Sequence, residues 1–121
     1  MSCRGIRGAV SVEANEEGAI LAATRELLER IVAVNQVAVE DVASVIFTAT
    51  PDLDAASPAR AAREMGWVYT PLLCMQEMAT AGSLPRCIRA MVMWNTDRPQ
   101  AQIRFVYLGQ ARALRPDLTE E

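Results

Sequence analysis

The chain has 121 residues, of which 51% are hydrophobic and 22% charged, with a net charge of −3. That balance suits one globular domain and excludes a disordered polyelectrolyte, a bilayer span of about 20 apolar residues and a strongly basic nucleic-acid-binding surface. There is no histidine and no lysine, so all 12 basic residues are arginine.

Those two absences remove the usual general base near neutral pH, any Schiff-base lysine, the lysine of a phosphate-binding loop and every histidine-containing metal site. Arginine stays protonated and can only hold anions or stabilise negative charge. Cys3, Cys74 and Cys87 form no CxxC pair and read as reduced thiols. Met1 to Gly5 lacks the apolar core of a signal peptide, so the expected location is cytoplasmic.

Arg4 to Glu13 alternates as a strand, with Ile6, Val10 and Val12 on one face and Arg7, Ala9 and Ser11 on the other. Asn15 is the expected N-cap of a helix of about 18–20 residues with an apolar stripe through Ile20, Leu27, Ile31 and Val34. Val42 to Thr50 is β-branched and apolar, a second strand that Pro51 ends. Ser57-Pro58 opens a short helix that Gly66 stops. Trp67 to Met75, Cys87 to Trp94 and Ile103 to Leu108 complete five strands, and residues 111–121 form a C-terminal tail to a single domain spanning 1–121. One long helix covers one face of such a sheet, while the other face also carries apolar and small residues. A second copy of the chain is the economical cover, so an obligate oligomer is expected.

Arg89 lies between Ile88 and Ala90 in an apolar strand, on the face of Cys87 and Met91. A charge there is either satisfied by a salt bridge or held for an anionic ligand. Arg7 repeats the theme among Gly5, Ala9 and Ser11. Tyr107 fits a core position or a hydroxyl donor to a carboxylate, and Glu77 fits an ordinary loop or a site. Arg60 and Arg63, three apart on the short helix, fit a solvated face. Together they describe several cations, one carboxylate and a phenol without a proton-transfer residue, which suits a small dianion whose reaction redistributes charge.

Arg4-Gly5-Ile6-Arg7-Gly8-Ala9, Ala49-Thr50-Pro51-Asp52-Leu53, Cys74-Met75-Gln76-Glu77-Met78, Cys87-Ile88-Arg89, Val106-Tyr107-Leu108 and Leu114-Arg115-Pro116-Asp117-Leu118 occur in that order. The set resembles the monofunctional, trimeric class of chorismate mutase, the mixed-sheet class and not the all-helical one. The resemblance implies an α+β fold: a mixed five-stranded sheet with one long and one short helix, three copies packing into a barrel-like homotrimer. It implies conversion of chorismate to prephenate by an intramolecular [3,3] rearrangement in aromatic amino acid biosynthesis, without cofactor, metal, nucleic acid or membrane, in clefts between subunits. It also implies roles: Arg89 beside the ether oxygen, Arg7 on a substrate carboxylate with Tyr107 in support, and Glu77 on the ring hydroxyl. Cys74 lines the pocket, the backbone of Leu73, Met75, Gln76 and Glu77 forms its wall, and Arg63 and Arg115 approach from the rim. Ser57 stands where the family carries a bulky aromatic. The rival reading is a non-catalytic trimer that binds or senses a small carboxylate.

Overall fold

Alternation in the first segment produces β1 (Ser2–Ser11), which starts and ends two residues earlier than the pattern suggests. Val12 leaves the ladder but still donates its N–H to Arg86 O at 2.7 Å. The computed structural model describes residues 1–114; Arg115 and the rest of the expected tail lie outside them.

The long helix, α1 (Glu17–Asn35), buries Ile20, Thr24, Leu27, Leu28, Ile31 and Asn35. Val34 of the expected stripe is only half-buried. Asn15 is not its cap: Glu16 holds that position without a side-chain bond. Instead the Asn15 amide accepts the N–H groups of Asp54 and Ala55, both at 3.0 Å, and donates to Asp54 at 2.8 Å. A cap uses only the acceptor of an amide, whereas this loop uses both of its ends. Gln36, at φ 57°, closes the helix in the left-handed region.

Next come β2 (Val42–Ala49) and α2 (Pro58–Glu64), which has proline in its first turn. Ser57 sits at the cap position of α2 but makes no capping bond, since its hydroxyl lies 3.2 Å from Cys74 Sγ. Gly66, at φ +95°, turns the chain out of the helix as expected. The third strand, β3 (Leu72–Gln76), is shorter than Trp67 to Met75. Trp67 turns into the core while Val68 and Tyr69 face solvent, and pairing starts only where Pro71 O accepts Val45 N–H at 2.9 Å.

β4 (Cys87–Thr96) is long, and β5 (Val106–Leu108) is three residues instead of the six expected. The cause is Asn35, whose buried amide takes both the N–H and the C=O of Arg104, each at 2.9 Å. Those groups bond to the helix and are lost to the sheet.

The strand order is β3-β2-β4-β1-β5. β4 runs antiparallel to both β1 and β2, while β1–β5 and β2–β3 are parallel. This is the expected mixed sheet in an α+β chain. Ile6, Val10, Val45, Phe47, Ile88, Val92 and Val106 pack with the buried stripe of α1 into one core. Contact is close at Gly8, where a Cβ would meet Ile31 Cδ1 at 2.9 Å and Leu27 Cδ1 at 3.0 Å. Because side chains alternate along a strand, Arg7, Ala9, Ile46, Thr48, Arg89 and Met91 fall on the opposite face. Neither α1 nor α2 covers that face; the 3₁₀ turn Gly109–Ala113 packs only against its Ala9, Cys87 and Tyr107 end.

Candidate active site

Register decides which side chains meet. β1–β4 pairing sets Ala9 opposite Arg89 and Arg7 opposite Met91, β2–β4 pairing sets Thr48 opposite Arg89, and β1–β5 pairing sets Ala9 opposite Tyr107. Paired residues point the same way, so four strands deliver Arg7, Thr48, Arg89 and Tyr107 to the face opposite α1. Glu77 joins them from just beyond β3, held by its N–H to Ala49 O at 2.8 Å. These five line a cleft of about 210 Å³ with Ile46 and Met91.

Within it, Arg89 Nε lies 3.4 Å from Glu77 Oε1, the oxygen to which Thr48 Oγ1 donates. The side chains of Arg89 and Glu77 are 39% and 22% exposed, so the pair is open to solvent and to a ligand. Arg89 Nε and Tyr107 Oη are both buried, and neither finds a hydrogen-bond partner among the described residues. Buried donors are rarely left unpaired, so two of them at one cleft mark a place prepared for acceptors. The Arg7 guanidinium lies over the Phe105 ring, 5.9 Å from its centroid, which fixes its direction by a cation–π contact. Cys87, packed with Ala9, Tyr107 and Ala111 behind the cleft, has its thiol pushed up by burial, against the pull of nearby Arg89.

A clasp at one end steadies β4. Thr50 Oγ1 donates to Asp52 and accepts the Cys87 N–H at 3.0 Å, while Asp52 accepts the Arg86 N–H at 3.0 Å. The Thr50 hydroxyl, with Arg86 beside it, holds the Asp52 carboxyl below the ordinary range. The Thr50-Pro51-Asp52 segment therefore fixes the start of the strand that carries Arg89.

The structure thus brings Arg7, Glu77, Arg89 and Tyr107 together in one chain. It does not bring the other sequence-derived candidates to that cleft. Cys74 and Gln76 pair with Phe47 and Ala49, which turns them to the helix side. There they line a second cleft of about 280 Å³ with Ser57, Pro58 and Met75. Leu73 and Met75 pair with Ile46 and Thr48 and lie exposed at the sheet edge. Arg63 is exposed on α2, and Arg115 lies outside the described residues. Arg60 is used between helices, bonded to Glu17 of α1 and to Glu64. Sequence reasoning missed Thr48 and Phe105. Alternation places Thr48 beside Ile46 on the right face, but no local signal ties it to a carboxylate 29 residues away.

Among the described residues no group of three or more His, Cys, Asp or Glu side chains could hold a metal ion, and no helix is long and apolar enough to cross a membrane. Residues 3–118 match the family model described as chorismate mutase type I. A chorismate mutase AroH of Bacillus subtilis is 52% identical over 120 residues, covering 98% of this chain and 94% of that protein. One from Thermus thermophilus is 52% identical over 116 residues, 95% of each. The solved structure of a chorismate mutase from Clostridium thermocellum superposes with a TM-score of 0.88 at 47% identity, over 90% of this chain and 97% of that one.

Proposed function

The chain belongs to the chorismate mutase type I family and converts chorismate to prephenate; from that premise we propose that the cleft of Arg7, Glu77, Arg89 and Tyr107 is where the rearrangement occurs. In this reaction a C–O bond breaks as a C–C bond forms within one molecule, and negative charge grows on the ether oxygen. The observation that carries the assignment is a pair of buried donors without a hydrogen bond, Tyr107 Oη and Arg89 Nε (the latter held only in its ion pair with Glu77), at a cleft that also holds Arg7.

In the proposed arrangement Arg89 donates to the ether oxygen. That interaction strengthens as charge develops, so it lowers the barrier more than it tightens substrate binding. Arg7, steadied over Phe105, holds one substrate carboxylate with Tyr107 in support. Glu77 accepts the ring hydroxyl with the oxygen not engaged by Thr48. The cleft holds the enolpyruvyl arm over the ring, an orientation effect that requires no proton transfer. No cofactor or metal takes part in this scheme.

The working unit we propose is a homotrimer in the cytoplasm. Support comes from the sheet face opposite α1, where Ile46, Met91 and Met93 stand half-buried, and from the exposed Leu73, Met75 and Met78 beside it. The candidates divide between two clefts on opposite sides of the β3 edge, and a neighbouring subunit offers a way to join them. The Cys74 cleft and Arg63 of one subunit then approach the Arg89 cleft of the next, with Arg115 contributed from the tail.

Loss of the chorismate diene absorbance on adding purified protein tests the activity, and sedimentation equilibrium tests the assembly. A stable, folded monomer at micromolar concentration with full turnover would remove the shared cleft. Tight binding of chorismate without turnover would favour a carboxylate sensor.

A further inference from the structure

Of the polar side chains that line the Arg89 cleft among the described residues, Thr48 has no role in the scheme above. We infer that Thr48 is a positioning residue for the rearrangement: it holds the Glu77 carboxylate so that the Arg89 guanidinium stays open to the ether oxygen. The inference rests on the cleft assignment just made.

Thr48 is paired with Arg89 on one side and with Met75 on the other, which places it between Arg89 and the strand that leads to Glu77. Glu77 is tied to β2 twice, by its N–H to Ala49 O at 2.8 Å and by its Oε1, which accepts the Thr48 hydroxyl proton. That same oxygen lies 3.4 Å from Arg89 Nε, and the contact does not form a hydrogen bond. A carboxylate and a guanidinium left to themselves settle into a bidentate, fork-to-fork pair. Such a pair would take up two of the donors of Arg89 and both acceptors of Glu77. The Thr48 hydroxyl occupies one lone pair of Oε1 and holds it toward β2, so closing on Arg89 as a bidentate pair would cost that hydrogen bond. Arg89 then keeps its charge balanced by Glu77 while its donors remain available, and Glu77 keeps Oε2 for the ring hydroxyl. Threonine suits this task because its branched Cβ restricts χ1 in a strand and gives the hydroxyl one direction.

The test is steady-state chorismate kinetics on Thr48→Val, Thr48→Ala and Thr48→Ser, with circular dichroism and oligomer size confirming that each variant is folded. Loss of a hydrogen bond to a charged group predicts that kcat falls about ten-fold in Thr48→Val and Thr48→Ala, with KM changed less than about two-fold. Thr48→Ser keeps the donor and should stay within about three-fold of the unaltered enzyme. In a Glu77→Gln background there is no ion pair to restrain, so adding Thr48→Val should change kcat by less than about two-fold. Wild-type kcat in both Thr48→Val and Thr48→Ala, or a serine variant as impaired as valine, overturns the inference. So does a full ten-fold loss that persists beside Glu77→Gln, which would make Thr48 a direct substrate contact. Each of these leaves the cleft assignment standing, whereas absence of turnover in the unaltered protein overturns both.

Discussion

Replacing Arg89 by lysine separates the two uses to which an arginine in an apolar strand can be put. If Arg89 serves only to balance Glu77, lysine preserves that service: the charge stays, and the pair is partly exposed, at 39% and 22%, with 3.4 Å between Nε and Oε1. Ion pairs of that exposure contribute at most about 1 kcal/mol, so the substitution should shift the melting temperature by only a few degrees. If Arg89 donates to the breaking C–O bond, lysine fails. A compact, mobile ammonium cannot reproduce the planar fork, and the buried Nε is removed outright. Losing a positioned donor at a developing oxyanion costs about 3–4 kcal/mol of barrier, or about 10²–10³ in rate. The expected outcome is therefore a barrier change several-fold larger than the stability change, carried by kcat with KM nearly unmoved. Arg7→Lys should behave differently, because a carboxylate anchor acts in ground and transition states alike and its loss raises KM. Steady-state kinetics and thermal melting on both variants read out the comparison. A near-wild-type kcat in Arg89→Lys would refute the reasoning and leave Arg89 as a structural partner of Glu77.

Gly8→Ala should destabilise the protein by about 1–3 kcal/mol, because the new methyl meets Ile31 and Leu27 of α1 at 2.9 and 3.0 Å; chemical denaturation measures this, and an unchanged midpoint would contradict the close packing. Asp52→Asn should lower the melting temperature at pH 7, and the gap to wild type should close under acid. The folded carboxyl is depressed from 3.8, so its contribution is present above that value and is lost as pH falls through the lower folded value; a gap that widens with acid would reverse the sign. Cys87 is buried and its thiol pushed up, so at pH 8 iodoacetamide should label exposed Cys3 while sparing Cys87 until the protein is unfolded, as followed by mass spectrometry. Because the chain has no histidine, kcat should vary little from about pH 6 to 9, and a bell centred near neutrality would contradict the proposed chemistry.

Period-two alternation was enough to place Arg7 with Ala9 and Arg89 with Met91, since it reports one face of one strand. It could not report that Ala9 lies opposite Arg89 or Thr48 opposite Arg89, because those facts follow from strand order and register. Tyr107 illustrates a second limit. The sequence offered core or site, and the residue is both, only 4% exposed yet part of the cleft lining. Asn15, Ser57 and Asn35 show a third. Each is a small polar residue with a local role open to it: Asn15 and Ser57 leave that role for Asp54 and Cys74, and Asn35 bonds back to Ile31 O yet also reaches Arg104. The shortness of β5 follows from Asn35 and has no trace in the sequence around Val106. The five family segments within the described residues each contribute to the lining of one of the two clefts; Cys74 faces the helix side for a reason of parity alone, one residue out of step with Leu73 and Met75.

The position of β4 in the sheet also bears on how the chain is made. It is the middle strand in space but the fourth in sequence, and its register with β1 joins Ser2 to Thr96. During synthesis β1 has no antiparallel neighbour until Cys87–Thr96 has been made, and closing so long a loop is entropically unfavourable until that pairing and the core rewards it. A nascent chain halted before Thr96 carries α1 and the β2 segment with their apolar faces uncovered, and aggregation competes with folding at that stage. Refolding should accordingly be slow for a chain of this size, and a truncated product ending before β4 should yield no partial enzyme.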